Sequence, residues 1–200
     1  MKKIAFTFVA LTLIFTVSCK KKEEKTTQEE ITTEVKKEEK VETSLRHALE
    51  FTAFKTPKKV GVKGTFDKID LTNTATGNIT ETLTGAKFSV ATESVNTGDP
   101  TRDIKLKEFY FKLLAEPTIT GTFKSFNDGK ATIAIKMNGV EKDIPFEYTA
   151  TENEILLSGG IDMIADFSAN KAFDSIHEAC KILHEDKTWT DVSLNITIGK

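Results

Sequence analysis

The chain has 200 residues, with 28 basic and 30 acidic side chains and a formal charge of −2. That near balance, without a basic stripe, excludes a protein recruited to nucleic acid by phosphate charge. With only two cysteines, Cys19 and Cys180, a disulfide-dense scaffold is excluded as well.

The N-terminus opens on Lys2 and Lys3, runs through an apolar stretch from Ile4 to Val17, and reaches Ser18 and Cys19. Charged, apolar and small-residue regions in that order read as a secretory signal over residues 1–18. The stretch is shorter than the roughly 20 residues a membrane-spanning helix needs. Thr16-Val17-Ser18-Cys19 is similar to a relaxed lipobox of bacterial lipoproteins, in which the cysteine sulfur takes a diacylglyceryl group before cleavage. That resemblance implies a lipid anchor on Cys19, attached by enough acyl chain to hold stably at about 0.8 kcal/mol per buried methylene. Cys180 is then without a disulfide partner, and an ordinary apolar core must hold the fold.

From Lys20 to Thr43 there are seven Lys, eight Glu, five Thr, one Gln and three aliphatic residues, with no Gly, Pro or aromatic. Such a segment buries too little apolar area to offset the cost of ordering it. Residues 19–43 are expected to form a lipidated, solvated tether spanning on the order of 30 Å if coil-like.

Residues 44–200 are expected to form one domain. Asp99 before Pro100 is an N-cap and first-turn pair, opening a short helix through about Lys107. Asn127-Asp128-Gly129 is a turn. Period-two alternation then marks strands through Ile133, Ile135 and Met137; through Ile144, Phe146 and Tyr148; and through Ile155, Leu157, Gly159, Ile161 and Met163. Asn138-Gly139 between the first two is the pair that a two-residue hairpin prefers. A second, amphipathic helix starts near Ser168, with Ala172, Phe173, Ile176, Ala179, Cys180 and Leu183 on one stripe. Val192, Leu194, Ile196 and Ile198 close the chain with another alternating strand. The pattern reads as all-β and antiparallel, closing into a barrel to remove exposed edges.

Four stretches carry a family resemblance: Val60 to Phe66; Ser94 to Arg102 with Asp103 behind it; Phe109 to Phe123 around Glu116-Pro117-Thr118-Ile119-Thr120; and Met137 to Ile144. Together they resemble the YceI-like family of exported, lipocalin-like β-barrels associated with polyisoprenoids and related long-chain lipids. The segment from Ser168 to Trp189 departs from the basic family pattern and resembles a Bacteroidota-type branch; Lys21 to Glu24 is similar to the surface-export signature of some lipoproteins of that group. The resemblance implies an antiparallel barrel of about eight strands with one amphipathic helix near the C-terminus and one short helix. It also implies a tubular apolar interior for a polyisoprenoid or fatty-acid-like lipid.

The domain's eleven Phe suit either a dispersive lipid pocket or a filled core. The residues expected at a ligand are Phe51, Phe66, Phe88, Arg102, Phe109, Phe111, Phe123, Ile133, Ile135 and Phe146. Arg102 is open between a headgroup contact and a salt bridge to a nearby carboxylate. His177, Cys180 and His184 form the only constellation with metal chemistry, but the histidines lie about 10 Å apart along a helix axis. A buried structural cysteine is the better reading, and no metal or other cofactor is expected. No Gly-x-Ser-x-Gly elbow, phosphate loop or zinc-protease helix is present, so the chain is expected not to be an enzyme.

The expected protein is therefore a lipid-anchored component of the cell envelope, at an outer membrane and facing the periplasm or the surface. It would bind or shuttle a long-chain isoprenoid or acyl lipid. The alternative is a solid barrel that binds a protein or glycan through its loops. Its partners are a long-chain lipid and a membrane, not nucleic acid, with a homodimer left open.

Overall fold

The computed structural model describes residues 45–200; the signal, Cys19 and tether expectations fall outside them. The C-terminal alternation forms β10 (Thr188–Gly199), which pairs antiparallel with β1 (Arg46–Lys55) on one side and β9 (Glu154–Asp162) on the other. β9 continues to β8 (Val140–Ala150), β7 (Lys130–Met137) and β6 (Thr118–Asn127), all antiparallel. Two of these connections are two-residue turns with both central residues at positive φ: Asp128-Gly129 at 48° and 76°, and Asn138-Gly139 at 53° and 76°. That is the backbone whose twist matches the flanking strands.

The remaining strands are short: β2 (Val60–Phe66), β3 (Ile69–Thr72), β4 (Lys87–Ala91) and β5 (Val95–Asn96). The hydrogen-bonded order is β3-β4-β6-β7-β8-β9-β10-β1-β2-β5. Its two ends are halves of bent strands. β2 and β3 are one run broken at Asp67-Lys68, while β4 and β5 are one run broken by a 3₁₀ turn at Thr92–Ser94. Bonds from Asp67 N to the Ser94 carbonyl and from Ala91 N to the Lys68 carbonyl carry the ladder across both breaks. The curled sheet thus has ten segments that behave as about eight strands, each side supplied by the next, which is the expected all-β, lipocalin-like class.

Inside, three phenylalanines lie flat across from glycines on the neighbouring strand: Phe51 opposite Gly64, Phe88 opposite Gly121, and Phe146 opposite Gly159. A Cβ at Gly159 would stand 2.6 Å from the Phe146 ring. The glycines leave the surface on which those rings rest.

Three helices lie at the two ends of the barrel. α1 (Ile79–Leu83) joins β3 to β4 and plugs one end; Ile79, Leu83 and the following Ala86 are fully buried. It has a reciprocal capping box between Asn78 and Glu81. α1 is not among the expected helices, because five residues are too few to show a helical stripe. α2 (Pro100–Phe109) and α3 (Asn170–Cys180) lie at the opposite end. Asp99 caps α2 as expected, accepting from Thr101 N and Arg102 N. α3 ends at Cys180, and the expected stripe fails at Leu183. That residue is 64% exposed in a 3₁₀ turn beside Ile182, which is 94% exposed.

Candidate functional site

Beneath α2 and α3 the barrel is hollow, with a cavity of about 340 Å³, at the low end of ligand pockets in general. One wall is sheet: Phe51 and Ala53 of β1, Val62 and Phe66 of β2, Ile161 of β9, and Val192 and Leu194 of β10. Period two places these side chains on the inner face. The roof is helical, with Leu106 of α2, Tyr110 and Phe111 just after it, and Ile176 and Cys180 of α3. The Phe66 ring centroid lies 5.5 Å from that of Phe51 and 5.7 Å from that of Phe111. The three rings form a continuous aromatic surface that recognises shape and apolarity but no particular atom. Tyr110 adds the one polar atom of this interior that is buried without a hydrogen-bond partner among the described residues, its hydroxyl. Burial pushes the phenol well above its ordinary value, so it stays a neutral donor.

The rim is polar and basic. Lys55 follows Phe51 and Ala53 on the inner side of β1, while Arg102 and Lys105 share a face of α2 with Leu106. The Ser94 to Asp103 motif explains how α2 comes to lie there. Ser94 Oγ donates to the Ala91 carbonyl at 2.7 Å, Gly98 N donates to Asn96 Oδ1 at 3.0 Å, and Asp103 Oδ1 accepts from both Thr97 N and Thr97 Oγ1. Gly98 sits at a φ of 72°, a turn that favours glycine. Most of the motif therefore aims a helix. Of the two roles left open for Arg102, the structure contains a salt bridge, Nη2 to Asp99 Oδ2 at 3.4 Å, and the side chain lines the cavity as well.

On the α3 side, His177 Nδ1 and His184 Nδ1 each lie 3.0 Å from Thr188 Oγ1. Burial, then the nearby Lys55, His177 and Lys105 charges, hold the His184 imidazole below its ordinary value. Trp189 donates from Nε1 to the Thr56 carbonyl at 2.9 Å, with Lys59 and Lys187 over its ring at 4.8 and 4.5 Å.

The structure divides the residues expected at a ligand. Phe51, Phe66, Arg102 and Phe111 line this cavity. Phe88 and Phe123 line a second, apolar one of about 60 Å³ nearer the plugged end. Ile133, Ile135 and Phe146 are packed into the core at 1%, 6% and 2% exposure, and Phe109 faces outward on α2 at 41%. Period two shows that a residue faces inward but not at which height along the barrel, which is why core and cavity rows read alike. Lys55, Lys105, Leu106, Tyr110 and Trp189 were missed; a lysine ending the Phe51, Ala53, Lys55 alternation was the available signal. Cys180 is 8% exposed in the cavity wall, and the two histidines converge on the Thr188 hydroxyl instead. Among the described residues no cluster of three or more His, Cys, Asp or Glu could hold a metal.

The sequence pattern of the YceI-like domain matches residues 30–198. Among solved structures, the chain is similar to a YceI protein of Campylobacter jejuni, at 25% identity and a TM-score of 0.53, covering 70% of this chain and 85% of that one. A polyisoprenoid binding domain from Saccharophagus degradans matches at 19% identity and a TM-score of 0.52, covering 76% of this chain and 91% of that one. BcnA of Burkholderia cenocepacia matches at 13% identity and 0.52, covering 76% and 94%. No curated protein matches the chain.

Proposed function

The chain belongs to the YceI-like domain family, and from that premise we propose that the hollow end of its barrel binds the tail of a long-chain isoprenoid or acyl lipid. The observation that carries this reading is the apolar cavity of about 340 Å³ under α2 and α3. A relative in the same fold is described as a polyisoprenoid binding domain, which supports it. Burying ten methylenes at about 0.8 kcal/mol each yields roughly 8 kcal/mol. That corresponds to micromolar affinity before the costs of association are met. A cavity is not what a solid-barrel interaction module needs, so the lipid reading is preferred. No residue is assigned a covalent step.

Further parts of the proposal concern placement. Residues 1–18 act as the export signal, lipidated Cys19 with the tether through residue 43 anchors the protein in the cell envelope, and residues 44–200 carry the cavity. No described helix is long and apolar enough to cross a membrane; the assignment of membrane attachment to Cys19 is supported by the likeness of Thr16-Val17-Ser18-Cys19 to a lipobox. Exposed Leu183 stands at the cavity rim, next in sequence to exposed Ile182, where a lipid would enter or leave.

The test is native mass spectrometry of the full chain purified from its own host's envelope, followed by denaturing extraction. A stoichiometric prenyl or acyl lipid is expected. An empty protein that takes up no lipid on incubation would sink the reading.

A further inference from the structure

The rim of the cavity is unlike its interior, and the difference bears on which lipids it takes. Three cationic side chains, Lys55, Arg102 and Lys105, line the cavity together with a single carboxylate, Asp99. That carboxylate is already committed, since Oδ1 caps α2 and Oδ2 meets Arg102. Several strand lysines are matched, Lys63 to Glu50, Lys124 to Asp143, Lys130 to Glu147 and Lys142 to Asp166, and Lys87 of β4, which is not, is exposed to solvent. Lys55 and Lys105 are half-buried, yet neither forms an ion pair among the described residues. A partly desolvated ammonium without a counter-charge is unfavourable on its own. Two of them beside the same imidazole, His184, define one place where positive potential accumulates. Arg102 uses one nitrogen for Asp99, at 3.4 Å, so its remaining donors are available.

From this geometry we propose that the rim is an anion site: the cavity selects amphiphiles whose headgroup is a carboxylate or phosphate, held by Lys55 and Lys105 with Arg102 beside them. The tail runs inward along Phe51, Phe66 and Phe111. This rests on the lipid-binding reading and adds the headgroup to it. An uncharged prenol or alkanol fills the same interior but leaves the two ammonium groups unmatched, so it binds more weakly.

The experiment measures binding of palmitate, hexadecyl phosphate and hexadecanol to the full chain at low salt, in the native protein and in the Lys55→Gln/Lys105→Gln double variant. Palmitate or hexadecyl phosphate should bind at least tenfold more tightly than hexadecanol. In the variant that preference should collapse through lost affinity for the two anions, with hexadecanol bound at least as tightly as by the native chain and the melting temperature not lowered. Whichever anion binds more tightly identifies the headgroup class. Equal binding of palmitate, hexadecyl phosphate and hexadecanol by the native chain overturns the anion site while leaving the lipid cavity intact. A preference that survives in the variant overturns its assignment to these lysines. Failure of all three probes to bind overturns both readings.

Discussion

The two ends of the barrel solve closure in opposite ways. At one end, α1 inserts Ile79 and Leu83, both at 0% exposure, behind a complete capping box. At the other, α2 buries none of its ten residues and leaves Ile104 61% and Phe109 41% exposed. It is held in place by Asp99, Thr97 and Asp103 through hydrogen bonds, over a space that the protein's own side chains do not fill. The plugged end supplies stability, because close-packed apolar area is what folding gains from. The hollow end forgoes that gain and keeps room for a guest. A barrel of this size can hold one ligand only where interior side chains stop short of filling it.

The comparison breaks most visibly at the plug. Leu83→Ala should cost about 2–5 kcal/mol, the range for truncating a fully buried leucine. Leu106→Ala, under α2, should cost well under half as much, because its surroundings already include empty volume. Equal losses in urea denaturation would remove the distinction. Enlargement should show the reverse contrast. Ala131→Leu, at a site 3% exposed in the packed core, should destabilise by about 1–3 kcal/mol. Ala53→Leu grows into the cavity instead, so it should be tolerated while abolishing uptake of a lipid probe. Lipid uptake by Ala53→Leu equal to that of the native chain would place the guest elsewhere.

Much of this division was readable beforehand, and its limits have physical causes. Four strands follow from period two, the turns at Asn127-Asp128-Gly129 and Asn138-Gly139 from residues that tolerate positive φ, and the Asp99 cap from a side-chain acceptor placed before Pro100, all local properties. The splitting of β2 from β3 at Asp67-Lys68 accompanies the 3₁₀ turn at Thr92–Ser94 in the partner run, which the sequence of β2 and β3 alone does not encode. α1 had one available sign, Asn78 three residues before Glu81. Lys55 was hidden because a lysine at a strand end is ordinarily solvated, and only the placement of α2 and α3 turns that end into the rim of a cavity. Phe88 and Phe123 face inward as expected, but at the height of the smaller space.

A smaller effect isolates the polar attachment of α2. Asp99→Ala removes the cap and the Arg102 ion pair together, and should cost about 1 kcal/mol. For a domain of this size that lowers the melting temperature by roughly 2–4 °C. Its distinctive signature is faster hydrogen exchange confined to α2 with the α1 amides unchanged. Uniform acceleration across both helices would mean that the ends are not independent.

The smallest effect is one of pH, and it separates the ends by their titrating groups. His184, at the hollow end, has a folded pKa held below its ordinary 6.5, first by burial and then by Lys55, His177 and Lys105. As pH falls below 6.5 the unfolded chain takes up the proton first, so stability is full above that value and declines as pH drops through the folded pKa. Asp162, near the start of the α3 connection, behaves differently. Burial alone would raise its pKa, but hydrogen bonds from Thr190, Ala165 and Ile164, with the Lys142 charge, outweigh it and leave the pKa lowered. Its contribution is present above the ordinary carboxylate value near 3.8 and is lost only below it. Denaturation midpoints should therefore fall modestly in the window just below pH 6.5, and His184→Gln should flatten that fall without altering the steeper loss in stronger acid. An anionic lipid at the rim adds a counter-charge beside the imidazole and should shrink the same window in the native chain. If His184→Gln and native protein lose stability in parallel from pH 7.5 to 5.5, the titrating group belongs to another part of the molecule.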